Sequence, residues 1–258
     1  MYHHAMQSSR FELKYLVDEQ QAMVIRNFLR GCLQPDPYTK PDEGNAYWVY
    51  SLYFDSPSFA SYHASAEGLK NRFKLRIRFY DDNPAQPVFF EIKRRLGDVV
   101  KKERAGVQRS AAQKMLWGHR PQLHDMPPDQ DPYKAPQAMC NFSNLYERIG
   151  AQACVYVYYQ REAYVAPDND DVRVTFDRHV QAGRFHQAMS LMPPRYGLPA
   201  DIPGVILELK FTNHYPLWME EFVRMLNLWR VPMPKYVACL RKLNSSLLFL
   251  PPARGVAS

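Results

Sequence analysis

The chain has 258 residues, enough for one large domain, and it is 46% hydrophobic and 14% aromatic with 17 tyrosines and 14 phenylalanines; this excludes a disordered chain and favours strands. Lysine and arginine exceed aspartate and glutamate by 33 to 26, a formal charge of +7, which fits an anionic partner or a generally basic surface until the charges are placed. Cys32, Cys140, Cys154 and Cys239 form no CxxC, no zinc spacing and no disulfide framework, and the absence of a signal-like opening and of any 18-residue apolar run leads to the expectation of a soluble, cytoplasmic protein.

Arg10 to Val17 alternates, with Arg10, Glu12 and Lys14 on one face and Phe11, Leu13 and Tyr15 on the other, as a half-buried strand does. Asp18 is a helix cap, and Met23, Ile25, Phe28 and Leu29 predict a helix running to Cys32 before Pro35-Asp36-Pro37. Tyr47 to Phe54 is the next strand, and a short helix spans Ala60 to Glu67. Three strands follow, Asn71 to Tyr80, Pro87 to Arg95 and Val99 to Val107, and their short polar connections predict antiparallel hairpins. Residues 110 to 150 change character, with helices over Ser110 to Trp117 and Asn141 to Ile149 around a proline-rich stretch, read as an insertion or lid. Strands return at Ala153 to Val165, Asp171 to Asp177, Val180 to Phe185 and Gly204 to Thr212, and helices over Leu217 to Trp229 and Val237 to Leu247 close the chain. The expected architecture is α+β, a closed antiparallel β-barrel tunnel of about eight strands with flanking helices. A single domain is expected over residues 1–250, with the insertion near 110–150 and a tail over 251–258.

The charges fall on strands. Lys74, Arg76 and Arg78 share one face of their strand while Phe73, Leu75, Ile77 and Phe79 share the other. The pattern Glu-apolar-Lys occurs on three predicted strands, as Glu12-Leu13-Lys14, Glu91-Ile92-Lys93 and Glu208-Leu209-Lys210. One such strand reads as the solvent face of an ordinary sheet. The set, with Lys102, Arg104, Arg161 and Arg173 added, reads better as the interior of a closed sheet whose apolar faces are covered by helices. Such an interior is self-repelling unless a polyanion occupies it. Arginines grip phosphate in bidentate fashion and lysines act as point charges, while glutamates are hard oxygen ligands for Mg²⁺ or Mn²⁺. The chain has no GxGxxG and no Walker pattern, so a Rossmann or P-loop mechanism is not supported.

The ordered segments Arg10-Phe11-Glu12-Leu13-Lys14-Tyr15, Ser51-Leu52-Tyr53-Phe54-Asp55, Leu75-Arg76-Ile77-Arg78-Phe79-Tyr80, Phe90-Glu91-Ile92-Lys93, Lys101-Lys102-Glu103-Arg104, Tyr159-Gln160-Arg161-Glu162, Val172-Arg173-Val174-Thr175-Phe176-Asp177, Leu207-Glu208-Leu209-Lys210 and Pro234-Lys235-Tyr236 resemble the VTC domain. That is the polyphosphate polymerase domain of the vacuolar transporter chaperone family, within the triphosphate tunnel metalloenzyme (CYTH-like) group. The resemblance implies that Lys14, Arg76, Arg78, Lys93, Arg161 and Lys210 are catalytic phosphate-binding residues. It implies that Lys74, Lys102, Arg104, Arg173 and Lys235 bind substrate, that Glu208 is the main metal ligand with Glu12 and Glu91, and that the cofactor is Mn²⁺ or Mg²⁺. Arg10, where triphosphatases of the group carry a glutamate, and Pro234, where polymerases often carry a serine, depart from the pattern.

The expected function is a metal-dependent polyphosphate polymerase that moves the γ-phosphate of a nucleoside triphosphate to a polyphosphate chain. The alternatives are an inorganic or nucleoside triphosphatase and a non-catalytic polyphosphate or nucleotide sensor. Nucleic acid is not expected as a partner, because Phe73, Phe79 and Phe90 point away from the cations; a membrane-protein partner is left open. The eight histidines show no metal-ligand spacing beyond the adjacent pair His3 and His4.

Overall fold

The computed structural model describes residues 10–39, 44–97, 99–167, 171–186, 191–212 and 214–244. It contains β1 (Arg10–Val17), α1 (Glu19–Leu29), β2 (Gln34–Pro35), β3 (Ala46–Asp55), α2 (Ala60–Ala66), β4 (Asn71–Phe79), β5 (Val88–Leu96) and β6 (Val99–Val107). These are followed by α3 (Arg109–Met115), α4 (Lys134–Arg148), β7 (Gln152–Val165), β8 (Val172–Gly183), β9 (Leu198–Pro199), β10 (Val205–Thr212), α5 (Leu217–Met225) and α6 (Lys235–Leu243). The ten strands form one sheet in the order β1-β10-β8-β7-β3-β4-β5-β6, with β2 added to β7 and β9 to β8. Every strand pair with a described register is antiparallel. The architecture is α+β, and the described strand order is open, with β1 and β6 at its ends.

The chain divides into two compact units, residues 1–47, 160–178 and 202–233 in the first, and 48–159, 179–201 and 234–258 in the second. In the first unit, alternation along β1, β8 and β10 sends Tyr15, Val17, Val174, Phe176, Leu207 and Leu209 into one apolar layer. Helix α1 adds Ala22, Ile25 and Leu29 to it, and α5 adds Met219 and Phe222. Asp18 caps α1 as the sequence predicts: its carboxylate accepts from the Gln21 amide at 2.7 Å while the Gln21 side chain accepts from the Asp18 amide at 3.1 Å. Arg26 of α1 donates to Glu162 at 2.6 and 3.0 Å, and Arg178 bridges Glu162 and Glu19, so ion pairs as well as apolar contact hold the helix.

In the second unit, β3 to β6 present Leu52, Phe54, Leu75, Ile77, Phe79, Phe90, Ile92 and Ala105 to a layer completed by α3 and α4. Phe142 of α4 is fully buried, 4.4 Å from the Phe90 ring centroid. The helical segment within 110–150 therefore forms a covering layer of the core. Gly97, at φ 59°, supplies the left-handed residue that the tight β5–β6 hairpin requires.

Several boundaries differ from the sequence expectation for local reasons. Helix α4 begins at Lys134, seven residues before Asn141, because Pro136 stands in the first turn, where its missing N–H has no intrahelical partner to lose. The segments Asp171 to Asp177 and Val180 to Phe185 are joined in one strand, β8; its pattern breaks at His179, which takes a left-handed φ of 51°. Helices α1 and α5 end earlier than expected, at Leu29 and Met225, and β9 was not anticipated. The end of the predicted last helix, the 251–258 tail and the His3–His4 pair lie outside the described residues.

Candidate functional site

The register of β4, β5 and β6 arranges the charged face of the second unit into cross-strand rows. Arg72 lies opposite Arg95; Lys74 opposite Lys93, itself opposite Lys102; Arg76 opposite Glu91, itself opposite Arg104; and Arg78 opposite Phe89, itself opposite Gly106. Among the described residues of β4–β6, eight cations thus share this face with one carboxylate, Glu91. Like charges directly opposite one another in a sheet repel, and a polyanion laid over the all-lysine row and the Arg72–Arg95 pair relieves that repulsion.

Glu91 is fully buried. Nε and Nη2 of Arg76 lie 2.7 and 2.6 Å from its Oε2, Arg78 at 3.9 Å, and Lys102 and Arg104 each 3.5 Å from its other oxygen. Burial alone would raise its pKa, but the four cations, Arg76 foremost, hold it well below the usual carboxylate range. Lys102 is shifted the other way: its ammonium is desolvated by the neighbouring strands although much of the side chain is exposed, which lowers its pKa, and Arg104, Arg78 and Arg76 lower it further against the pull of Glu91. The guanidiniums also take neutral partners from β3 and β7. Arg76 donates to the Tyr53 hydroxyl at 2.7 Å, and Arg78 donates to Ser51 at 3.2 Å and to Tyr159 at 3.3 Å. Burial would raise the Tyr53 pKa, yet the positive field of Arg76, Arg78 and Lys93 leaves it lowered. Arg104 lies over the Phe89 ring, 3.6 Å from its centroid, and reaches the Tyr80 hydroxyl at 3.5 Å.

Helix α6 meets the tyrosine partners of these arginines through two consecutive residues. Lys235, buried, places Nζ 4.8 Å over the ring of Tyr159, the tyrosine that accepts from Arg78. Tyr236 stacks on Tyr53, the partner of Arg76, with centroids 4.9 Å apart. Its hydroxyl donates to buried Asp55 at 2.6 Å, and Asp55 also accepts the backbone amides of Ser56, Ser61 and Tyr62 at 2.8, 2.9 and 2.8 Å.

The first unit carries a second charged cluster. Lys14 of β1 lies 3.2 Å from Glu12 and 2.9 Å from Glu208, and Lys210 lies 3.0 Å from Glu208. Arg161 of β7 makes a bidentate pair with Asp177, both contacts at 2.7 Å, and approaches Glu208 at 3.4 Å. Burial works against the Lys14 charge, but Glu208 and Glu12 outweigh it and raise its pKa. Arg173 is committed to buried Asp36 and to the Tyr47 hydroxyl at 3.1 Å.

A divalent ion needs oxygen donors, and this cluster supplies them. Glu12 and Glu208 share the ammonium of Lys14. Thr175, opposite Glu208 in the β8–β10 register, is fully buried with no hydrogen-bond partner for its hydroxyl, a defect that costs about 1–3 kcal/mol unless a ligand takes it up. No group of three or more His, Cys, Asp or Glu is placed to hold a metal by itself among the described residues. Two carboxylates and a hydroxyl nevertheless fit Mg²⁺ or Mn²⁺, which take one or two carboxylates and leave other positions to phosphate and water.

The structure gathers Arg76, Arg78, Glu91, Lys102 and Arg104 around one point, with Lys74 and Lys93 in the adjoining row. It gathers Glu12, Lys14, Arg161, Glu208 and Lys210 around another. Sequence reasoning did not assign Ser51, Tyr53, Asp55, Tyr159 or Thr175. Period-2 alternation puts Ser51 and Tyr53 on one face, but only the β3–β4 register sets them opposite Arg78 and Arg76. No helix among the described residues is long and apolar enough to cross a membrane.

A protein-family model described as VTC domain matches residues 9–244. No curated protein matches the chain. Among solved structures, a putative adenylate cyclase from Bacillus halodurans is 12% identical with a TM-score of 0.48, the match covering 88% of this chain and 95% of that one. A putative adenylyl cyclase from Hippeastrum, described as having a dominant triphosphatase activity, is 13% identical with a TM-score of 0.49, covering 92% and 96%. A Pyrococcus horikoshii OT3 protein is 13% identical with a TM-score of 0.46, covering 91% and 99%.

Proposed function

Because the chain belongs to the VTC domain family, we propose that it is a metal-dependent polyphosphate polymerase, transferring the γ-phosphate of a nucleoside triphosphate to a polyphosphate chain inside a closed, basic tunnel. The observation that carries this reading is the β4–β6 face, where eight cations line three strands, four of them around Glu91, and lysines lie opposite lysines.

Phosphoryl transfer asks little covalent work of a protein and much positioning and charge neutralisation. Arg76 and Arg78, oriented by Tyr53, Ser51 and Tyr159, hold phosphate oxygens in the geometry their planar forks favour. Lys74, Lys93 and Lys102 extend the grip along the chain, and Lys235 adds a charge from α6. Glu91, expected as a metal ligand beside Glu12 and Glu208, is enclosed by four cations and serves instead as the counter-anion that keeps them together; Glu12 and Glu208 with the Thr175 hydroxyl would hold the metal. Bound there, Mg²⁺ or Mn²⁺ supplies charge neutralisation at phosphate oxygens. Lys14, Lys210 and Arg161 flank those carboxylates and hold phosphate on the same face. No side-chain nucleophile is required.

Incubation of the purified protein with ATP and Mn²⁺, followed by resolution of the products, tests the assignment. Long polyphosphate chains are expected; free phosphate alone would identify a triphosphatase, and binding without turnover a sensor. Arg76→Ala and Lys93→Ala should each lower turnover at least 100-fold, and full activity in both would remove the phosphate-binding assignment. An experimental structure with tripolyphosphate tests closure of the sheet, which an open β1–β6 edge around bound ligand would rule out.

A further inference from the structure

On the charged face of the second unit the cations give way to aromatic surface at one end. The row that follows Arg76–Glu91–Arg104 carries Arg78 on β4, but Phe89 on β5 and Gly106 on β6. Phe89 is therefore an apolar ring on a face otherwise built of charge, and it is half-buried while its neighbours Val88 and Phe90 are enclosed in the core on the other side. Arg104 covers part of it at 3.6 Å from the ring centroid. Tyr80 adds an edge, its ring 5.9 Å from that of Phe89 at 64°, with its hydroxyl 3.5 Å from Arg104. Gly106 leaves its side-chain position to Gln130: a Cβ there would meet the Gln130 amide at 2.9 Å, and that amide pairs with the Gly106 backbone at 2.5 and 3.0 Å.

Planar guanidiniums and aromatic rings are the surfaces on which nucleobases stack, and such stacking tolerates any base because every base has a π face. We infer that Phe89, Arg104 and Tyr80 form a nucleobase subsite at the end of the phosphate-binding face. The inference deepens the proposed function and rests on it. Rows two residues apart along a strand are separated by about 7 Å. A base stacked at Phe89 and Arg104 therefore lays its first phosphates beside Arg76 and Arg78 and its terminal phosphate toward Lys74, Lys93 and Lys102. Polyphosphate has no base and gains nothing from the aromatic surface of Phe89 and Tyr80. The subsite thus distinguishes the donor from the growing chain and fixes which way round the nucleotide lies. Arg104 acts here through its flat face as well as its charge.

The test compares two ligands that share a triphosphate and differ in the base. Binding of ATP and of inorganic tripolyphosphate is measured by calorimetry in EDTA, which prevents metal-dependent turnover, for the wild-type chain and for Phe89→Leu. Phe89→Leu should weaken ATP about 10-fold and leave tripolyphosphate within twofold. Equal losses for both ligands, or no loss for ATP, would overturn the subsite while leaving the phosphate-binding face intact. A wild-type chain that binds neither ligand would overturn the proposed function as well. Arg104→Lys keeps the charge and loses the plane; it should again weaken ATP more than tripolyphosphate, and it decides the matter if Phe89→Leu does not fold.

Discussion

Glu91 sits at the point where charge is most concentrated, and its worth depends on what occupies the face. Its carboxylate offsets four cations. Removing one side of a buried ion pair leaves the other uncompensated, at a cost on the order of 3 kcal/mol. Glu91→Gln should therefore lower the melting temperature without ligand and bind tripolyphosphate more tightly than wild type, so that added tripolyphosphate restores the lost stability; calorimetry and thermal melts read both. Unchanged binding would reject the counter-anion role. The pH dependence has a definite sign. Glu91 has a depressed pKa in the folded protein, so its stabilisation is present above the unfolded value of about 4.3 and disappears as pH falls through the depressed folded value. That acid loss should be absent from the Glu91→Gln variant. At this scale alternation made Arg76, Arg78 and Lys93 legible, since a period of two places them without knowledge of any partner. The role of Glu91 was not legible, because its four cations come from strands β4 and β6 on either side of it.

Among the elements, α6 is held by contacts distant in sequence. Its first two residues address Tyr159 and Tyr53, and Asp55, 181 positions before Tyr236, anchors the helix through one hydroxyl. Tyr236→Phe keeps the stacked ring and removes the charge-assisted hydrogen bond. It should cost about 1.5–3 kcal/mol and lower turnover by loosening Lys235; denaturant unfolding and steady-state kinetics measure the two effects. A variant as stable and active as wild type would show that the Tyr53 stack alone holds the helix. Helix α1 was legible because Asp18 and Gln21 carry a local capping signal. Helix α4 was legible only in part. Proline ordinarily marks a break, and whether Pro136 ends a helix or sits in its first turn depends on where Ala138, Met139 and Phe142 find a core to enter.

For the molecule as a whole, the cationic faces imply a binding equilibrium governed by ionic strength. Exposed and half-exposed charges such as Lys102 and Arg104 are screened as the Debye length falls from about 10 Å at 0.1 M salt to about 3 Å at 1 M. Tripolyphosphate affinity should fall steeply between 50 and 500 mM NaCl, with a shallower slope in Lys102→Ala; a salt-independent constant would show that the charges are not the source of affinity. The α+β class, the strands that carry charge, the face on which each charge stands and the family were all determined by the sequence alone. Each follows from spacing within a segment or from the order of segments. Only the tertiary structure decided the partners: Lys74 opposite Lys93 and Lys102, Glu91 among four cations, Phe89 under Arg104, and Glu12 and Glu208 on one lysine. Those pairings are set by strand register and helix docking. They are properties of segments far apart in the chain, and no local period encodes them.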